Sequence, residues 1–276
     1  MSLLQARDLT HGYTSGGWFT RKRRVEVLGN LDLDVHAGES TGLLGGSGSG
    51  KSTLARLLMG LERPDRGSLR VRNGSFEPTD KAFLRSVQMV FQDAPSAFNP
   101  QRTVGWSIAE PLRHLLGLSS DECRSRVADL LQQVQLTPAD ADKLPAQLSG
   151  GQLQRAGIAR ALAVEPELII LDEALSNLDR VLQVQMLDLL ARVREQSGTA
   201  FLLITHDLSL VQHFCQRVIL LAEGRIVEDR VVEPGLRFRH PAGAALQAAV
   251  PPARPLRRRT AEPDAAQHER QATGHC

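Results

Sequence analysis

Gly45-Gly46-Ser47-Gly48-Ser49-Gly50-Lys51-Ser52-Thr53 is the stretch that decides how this chain is read. It fits G-x-x-x-x-G-K-[ST], the loop that wraps nucleotide phosphates, a motif that carries weight only between a strand and a helix. Ser40-Thr41-Gly42-Leu43-Leu44 before it reads as a short buried strand, and Thr53-Leu54-Ala55-Arg56-Leu57-Leu58-Met59 after it reads as a helix. Bare glycines let several backbone N–H groups converge on one anion. The helix start adds the positive end of its dipole, and Lys51 adds a full charge. Ser52 can offer its hydroxyl to a magnesium ion. A Gly/Ser-rich surface turn with a chance lysine would lack this context on both sides. The expectation is an α/β core in which residues 45–53 hold the phosphates of a nucleotide.

The chain has 276 residues, and its 42% hydrophobic content supports a real core rather than a disordered chain. A net charge of +2 is nearly balanced, which argues against a dedicated nucleic-acid binder. Cys123, Cys215 and Cys276 are far apart and odd in number, which suits a reducing compartment and gives no metal or disulfide framework. The N-terminal residues have no apolar core long enough for a signal peptide, and no run approaches the ~18 apolar residues of a membrane span. If the protein serves a membrane process, a partner must do the spanning.

Residues 3–9 and 25–35 partly alternate, as half-buried strands do. Between them, residues 14–24 read as a loop with a basic tip, Arg21-Lys22-Arg23-Arg24. Residues 63–91 are expected to return to strands and turns, ending in Val87-Gln88-Met89-Val90-Phe91. From Thr103 to Gln135 the apolar spacing turns helical, and a new helix is expected over residues 149–163. Leu168-Ile169-Ile170-Leu171, Ala200–Thr205 and Arg217–Leu221 read as buried parallel strands, with a helix at about 180–196 completing a βαβ unit. After Val250 the composition turns polar and Pro/Arg-rich, as in an unfolded tail.

Leu168–Leu171 runs into Asp172-Glu173. An acid at the end of a buried parallel strand faces the phosphate loop, so Asp172 would hold magnesium and Glu173 would polarise an attacking water. Leu148-Ser149-Gly150-Gly151-Gln152 opens a helix. Ser149 and Gln152 suit a capping box. That does not account for two adjacent glycines, each costing roughly 1 kcal/mol at helical positions. They expose backbone N–H groups at a helix start, which makes a second anion site.

At this point the chain resembles the ATP-binding cassette (ABC) ATPases, whose signature is that pentapeptide. The resemblance covers about residues 3–240 and implies an α/β P-loop NTPase (RecA-like) core with a parallel sheet. It also implies an N-terminal antiparallel β-subdomain and an inserted helical subdomain. The domain expected is residues 1–250, with the helical part at about 95–160, followed by a flexible tail at 251–276. In the family the signature segment, here Leu148, Ser149, Gly150, Gly151 and Gln152, caps the γ-phosphate of ATP held by a second subunit. A glutamine matching Gln92 contacts magnesium and the attacking water. A histidine matching His206, in Thr205-His206-Asp207, touches the γ-phosphate, and an aromatic matching Tyr13 stacks on adenine. Ser176-Asn177-Leu178-Asp179 resembles the D-loop, which crosses the dimer interface.

Phe91–Pro100 further resembles the oligopeptide/dipeptide/nickel importer branch. Ala174, where the family usually has Pro, and Asn177, where it usually has Ala, are similar to nickel-importing members, as are residues 110–116 and 255–260. The resemblance implies an ATP- and Mg²⁺-dependent ATPase that energises an importer, with nickel as cargo and oligopeptides as the alternative. It implies a second ATPase subunit in a heterodimer, two transmembrane permeases and, through them, a periplasmic binding protein. The expected place is the cytoplasmic face of the bacterial inner membrane. An ABC-type ATPase acting on DNA or ribosomes would need a long coiled-coil insertion or two cassettes, whereas only 55 residues lie between Gln92 and Leu148.

Overall fold

The structure is a computed structural model that describes residues 2–15, 23–72, 74–75, 79–176 and 178–249. Residues 16–22 of the expected basic loop, Asn177 and the tail beyond Ala249, with Cys276, lie outside the described residues, while Thr14, Ser15, Arg23 and Arg24, expected in that loop, pair as strand. In chain order the elements are β1 (Ser2–Ser15), β2 (Arg23–His36), β3 (Ser40–Leu44), α1 (Lys51–Leu58), β4 (Arg66–Val71) and β5 (Gly74–Ser75). They continue with α2 (Lys81–Ser86), β6 (Val87–Val90), α3 (Val104–Leu116), α4 (Ser120–Gln133) and α5 (Gly150–Leu162). The second half holds β7 (Leu168–Asp172), α6 (Arg180–Ser197), β8 (Ala200–Thr205), α7 (Leu208–Phe214), β9 (Arg217–Ala222), β10 (Arg225–Val231) and α8 (Pro241–Ala249).

Two sheets result. One is antiparallel, in the order β2-β1-β4-β5; the other has the order β10-β9-β3-β8-β7-β6. In the second, β3 pairs parallel with β8 and β9, and β7 pairs parallel with β6 and β8. Only β10 joins it antiparallel, at the edge. The central strands β3, β7 and β8 are buried at nearly every position because both sheet faces are covered, and β7 and β8 are mostly apolar as well. Alternation still decides which side each residue serves. Ile169, Leu171, Phe201, Leu203, Val218 and Leu220 join a core built with α3 to α7. Leu168, Ile170, Leu202, Ile204, Ile219 and Leu221 join a core with α1 and the antiparallel sheet. The six-stranded sheet is therefore sandwiched, and its C-terminal strand ends are left to build a site.

The structure corrects several expectations. Residues 63–91 are not all strand and turn: α2 interrupts them, with the Asp80 carboxylate accepting the Ala82 N–H. The helical region from Thr103 breaks at Gly117, whose φ of 72° ends α3. Ser119 and Glu122 then start α4 with a reciprocal capping box. The two N-terminal strands are 14 residues each, longer than their alternating segments, because pairing continues through exposed residues such as Arg23 to Glu26. Among the described residues no helix is long and apolar enough to cross a membrane. Cys123 and Cys215 are free and buried.

Candidate nucleotide site

The site is built at the C-terminal ends of three parallel strands. β3 delivers the phosphate loop, β7 delivers Asp172 and Glu173, and β8, between them, delivers His206. Register places Leu44 beside Thr205 and Asp172 beside Ile204. The sheet thus brings together residues more than a hundred positions apart in sequence.

Gly50 caps α1 with φ 105°, and a Cβ there would sit 2.7 Å from Leu28 Cδ2 and 3.2 Å from the Val27 carbonyl. Glycine at this position is required by this chain's own packing. Gly46 and Gly48 are different: among the described residues a Cβ on either would meet nothing within 4 Å. Gly48 has φ 75°. The side of the loop that these two residues line faces open space, where a ligand can approach the backbone. Lys51 is 6% exposed. Its Nζ donates to the carbonyls of Gly45 and Gly46, both at 2.9 Å, and lies 3.9 Å from Glu173 Oε1. Burial pushes its ammonium below the usual lysine range, partly opposed by the charges of Glu173 and Asp172. Ser49 and Thr53 are also buried.

Burial, then the charge of Glu173, raises the Asp172 carboxyl above the usual carboxylate range, against the pull of Ser52, Lys51 and Arg56. Asp172 Oδ1 is buried with no hydrogen-bond partner among the described residues. An orphaned buried carboxylate oxygen next to Ser52 is the donor set a hard divalent cation takes, so these residues fit Mg²⁺. Glu173 adopts φ 47°, a left-handed conformation uncommon outside glycine, and its N–H bonds the Ile204 carbonyl at 3.0 Å. Backbone strain of this kind concentrates at functional sites. His206 Nδ1 stands 3.6 Å from Glu173 Oε1. Lys51, Asp172, Glu173 and His206 therefore form one cluster.

Tyr13, on β1, reaches the same region: its hydroxyl is 3.5 Å from Thr53 Oγ1 and donates to Glu62 Oε2 at 2.6 Å. His11 packs edge-on to its ring at 5.0 Å. Nothing in the sequence singled out Glu62, since the contact spans 49 residues. Gln92 lies exposed just beyond the end of β6. The α5 residue Gln154 reaches across to the Phe91 carbonyl at 3.4 Å, and Arg160 donates to the Ala97 carbonyl at 2.6 Å while stacking on Phe98. These contacts join the segment around Gln92 to the helical layer.

The segment expected to form a second anion site opens α5, in the helical layer. Ser149 and Gln152 make the expected capping box, with Ser149 N–H to Gln152 Oε1 at 2.9 Å and Gln152 N–H to Ser149 Oγ at 3.3 Å. Leu148 is buried and Ser149 exposed. Among the described residues a Cβ at Gly150 would meet nothing within 4 Å, and one at Gly151 would meet Leu178 and Leu182 at 3.4 and 3.5 Å. Asp179 caps α6, accepting from Val181 and Leu182 N–H, so the start of α6 adjoins the signature segment.

A parallel-sheet core with a phosphate loop, a strand-end acid pair and this signature defines an ABC-type nucleotide-binding subunit. The ABC transporter family model matches residues 28–176, and the chain belongs to this family. It is 57% identical to the nickel import ATP-binding protein NikE of Pseudomonas putida, over 94% of this chain and 96% of that protein. It is 51% identical to the NikE of Escherichia coli K12, over 95% of this chain and 99% of that protein. Among solved structures, it resembles the dimeric ATP-binding cassette MJ0796 in a post-hydrolysis state with ADP and Pi, with a TM-score of 0.74 and 28% identity, covering 84% of this chain and 99% of that one. It also resembles cbiO1 of Clostridium perfringens, part of the transporter complex cbiONQ, with a TM-score of 0.72 and 28% identity, covering 84% of this chain and 90% of that one.

Proposed function

We propose that this chain is the ATP-hydrolysing subunit of a nickel importer, working as one half of a pair of nucleotide domains. One observation carries the paired reading: among the described residues no neighbour within 4 Å requires the open glycine of the signature, Gly150, so its bare backbone suits a second polypeptide's nucleotide. The dimeric cassette neighbours and the nickel-import names of the relatives support the same reading.

In this reading residues 1–250 are the ATP-binding domain, with the helical part at about 95–160 as its subdomain. The amides of residues 45–50 and the ammonium of Lys51 neutralise the phosphates, with Thr53 at the loop's end and Tyr13 against the adenine. Ser52, Asp172 and Gln92 would hold Mg²⁺, which supplies charge neutralisation on the phosphate oxygens. Glu173 accepts a proton from the attacking water and aims it in line, while His206 steadies Glu173 and meets the γ-phosphate. Such chemistry depends mainly on placement and electrostatics. Leu148, Ser149, Gly150, Gly151 and Gln152 complete the partner's site only when the two domains close, with Asp179 at the seam, so hydrolysis waits on assembly.

The importer reading adds two transmembrane permeases, a second ATPase subunit in a heterodimer and, beyond the permeases, a periplasmic binding protein. The chain would then sit on the cytoplasmic face of the inner membrane. Between β6 and β7 the chain builds three α-helices of 13 or 14 residues, which suits docking on a membrane partner and leaves no room for a coiled-coil arm. Nickel uptake and ATPase activity measured with and without this chain test the proposal. Loss of both supports it, and unchanged nickel uptake in the deleted cell overturns the cargo.

A further inference from the structure

The sheet fixes Asp172 and Thr205 at the ends of β7 and β8, but Glu173 and His206 lie one residue past those ends. Their facing side chains, 3.6 Å apart, need another tie. The structure supplies one through the start of α6. Arg180, its first residue, donates from Nη1 to Asp207 Oδ2 at 2.6 Å and to Gln183 Oε1 at 3.1 Å, and from Nη2 to Ser209 Oγ. Gln183, buried, donates from Nε2 to the Leu175 carbonyl at 2.9 Å. Leu175 is two residues beyond Glu173, and Asp207 is the residue after His206. The Asp207 carboxylate also caps α7, accepting the Ser209 N–H at 2.8 Å through Oδ1. A continuous bridge thus runs from the Glu173 loop through Gln183 and Arg180 to the His206 loop.

Helix stability does not explain Arg180. A cation in the first turn opposes the helix dipole, and Asp179 alone already caps α6. A solitary exposed ion pair would contribute little. This one is different, because the guanidinium is shared among three acceptors and linked to a buried amide, which fixes its orientation. The same α6 start adjoins the signature segment through Leu178 and Leu182.

We propose that Arg180 is a positioning residue for hydrolysis: with Gln183 and Asp207 it braces the Glu173 loop against the His206 loop, and it passes movement of the α6 start to that pair. The inference rests on the ATPase reading above. Among the described residues the Arg180 side chain bonds Gln183, Asp207 and Ser209 and not the phosphate loop, so its loss should leave ATP binding unchanged and slow only the chemical step. Misplacing a catalytic group by about 1 Å can cost roughly 100-fold, and a partial loosening should cost about tenfold.

The test uses the assembled transporter with full-length chain, comparing wild type, Arg180→Ala, Arg180→Lys, Asp207→Asn and Arg180→Ala/Asp207→Asn. The expected result is a kcat about tenfold lower for Arg180→Ala with KM for ATP within twofold. Arg180→Lys should partly restore kcat, and the double variant should be no slower than Arg180→Ala, because both substitutions cut one bridge. Asp207→Asn keeps an oxygen to cap α7, so it separates the bridge from folding. A kcat within twofold of wild type for Arg180→Ala, multiplying losses in the double variant, or a rise in KM equal to the fall in kcat overturns the proposal. If the wild-type assembly itself splits no ATP, the ATPase reading fails instead.

Discussion

Three glycines of the phosphate loop can be separated by one substitution each, because the structure gives them different reasons to be glycine. Gly50→Ala combines two penalties. Its φ of 105° lies in a region that costs an L-residue about 1–2 kcal/mol. The new methyl would also stand 2.7 Å from Leu28 Cδ2 and 3.2 Å from the Val27 carbonyl. Overpacking of that kind costs about 1–3 kcal/mol. Alanine restricts the unfolded chain and returns about 0.4–1 kcal/mol. The net loss for Gly50→Ala is therefore about 1–5 kcal/mol, centred near 3. Gly48→Ala has the positive φ without the clash and should lose about 1 kcal/mol or less. Gly46→Ala has neither and should be neutral or stabilising by a few tenths of a kcal/mol, about the size of the unfolded-state term. Urea unfolding without nucleotide measures all three, provided the m-values agree. ATP affinity gives a second readout, in which Gly46→Ala and Gly48→Ala should weaken binding out of proportion to stability, since their open face is where phosphate would approach. Equal destabilisation by Gly46→Ala and Gly50→Ala would refute the packing assigned to this loop.

Lys51→Ala should weaken ATP binding by about 10- to 100-fold, the worth of a charged hydrogen-bond donor, as read by fluorescent nucleotide titration. Asp172→Asn should raise the Mg²⁺ concentration needed for half-maximal ATPase by at least about tenfold, measured at saturating ATP. Glu173→Gln should bind ATP but not hydrolyse it, trapping a closed pair of nucleotide domains visible by light scattering; rapid turnover by that variant would remove Glu173 from its role. Asp140 tests the helical layer: Lys143, with help from the Thr137 hydroxyl and amide and against the effect of burial, holds its carboxyl at about 2. A depressed carboxylate pKa contributes stability that is present above the ordinary range and lost as pH falls through the folded value. That contribution is about 2 kcal/mol, lost between about pH 4 and 2, so Asp140→Asn should destabilise by this order at pH 7 and show a shallower acid transition in that window.

Where the chemistry requires particular residues in a row, the sequence was legible. Ala200–Thr205 is a strand at the expected residues because a strand covered on both faces favours an unbroken apolar run, whereas Ser40–Leu44, whose first three residues are polar or glycine, was marked by the phosphate loop that follows it. The capping box at Ser149 and Gln152 is likewise a local pattern. Less legible were elements held by partners far along the chain. The six-residue α2 is too short to show a helical period, although Asp80 was available as a cap. The edge strand β10 is half exposed and polar, so its pairing with β9 has little apolar signature. The order of strands, which sets β8 between the phosphate loop and the acid pair, follows from packing that no local pattern encodes. The Arg180–Asp207 pair spans 27 residues and the Tyr13–Glu62 bond spans 49, and nothing local to either position names the distant partner. The left-handed Glu173 is a conformation imposed by its surroundings rather than favoured by glutamate.

The composite site is tested most directly by the ATP turnover of the purified chain, diluted until it is monomeric, compared with the same chain assembled with its partner ATPase subunit and permeases. Because Ser149 to Gln152 would complete another subunit's pocket, turnover per chain should be near zero when isolated and should rise steeply on assembly. Full turnover by the monomer, unchanged by dilution or by added partners, would contradict the account.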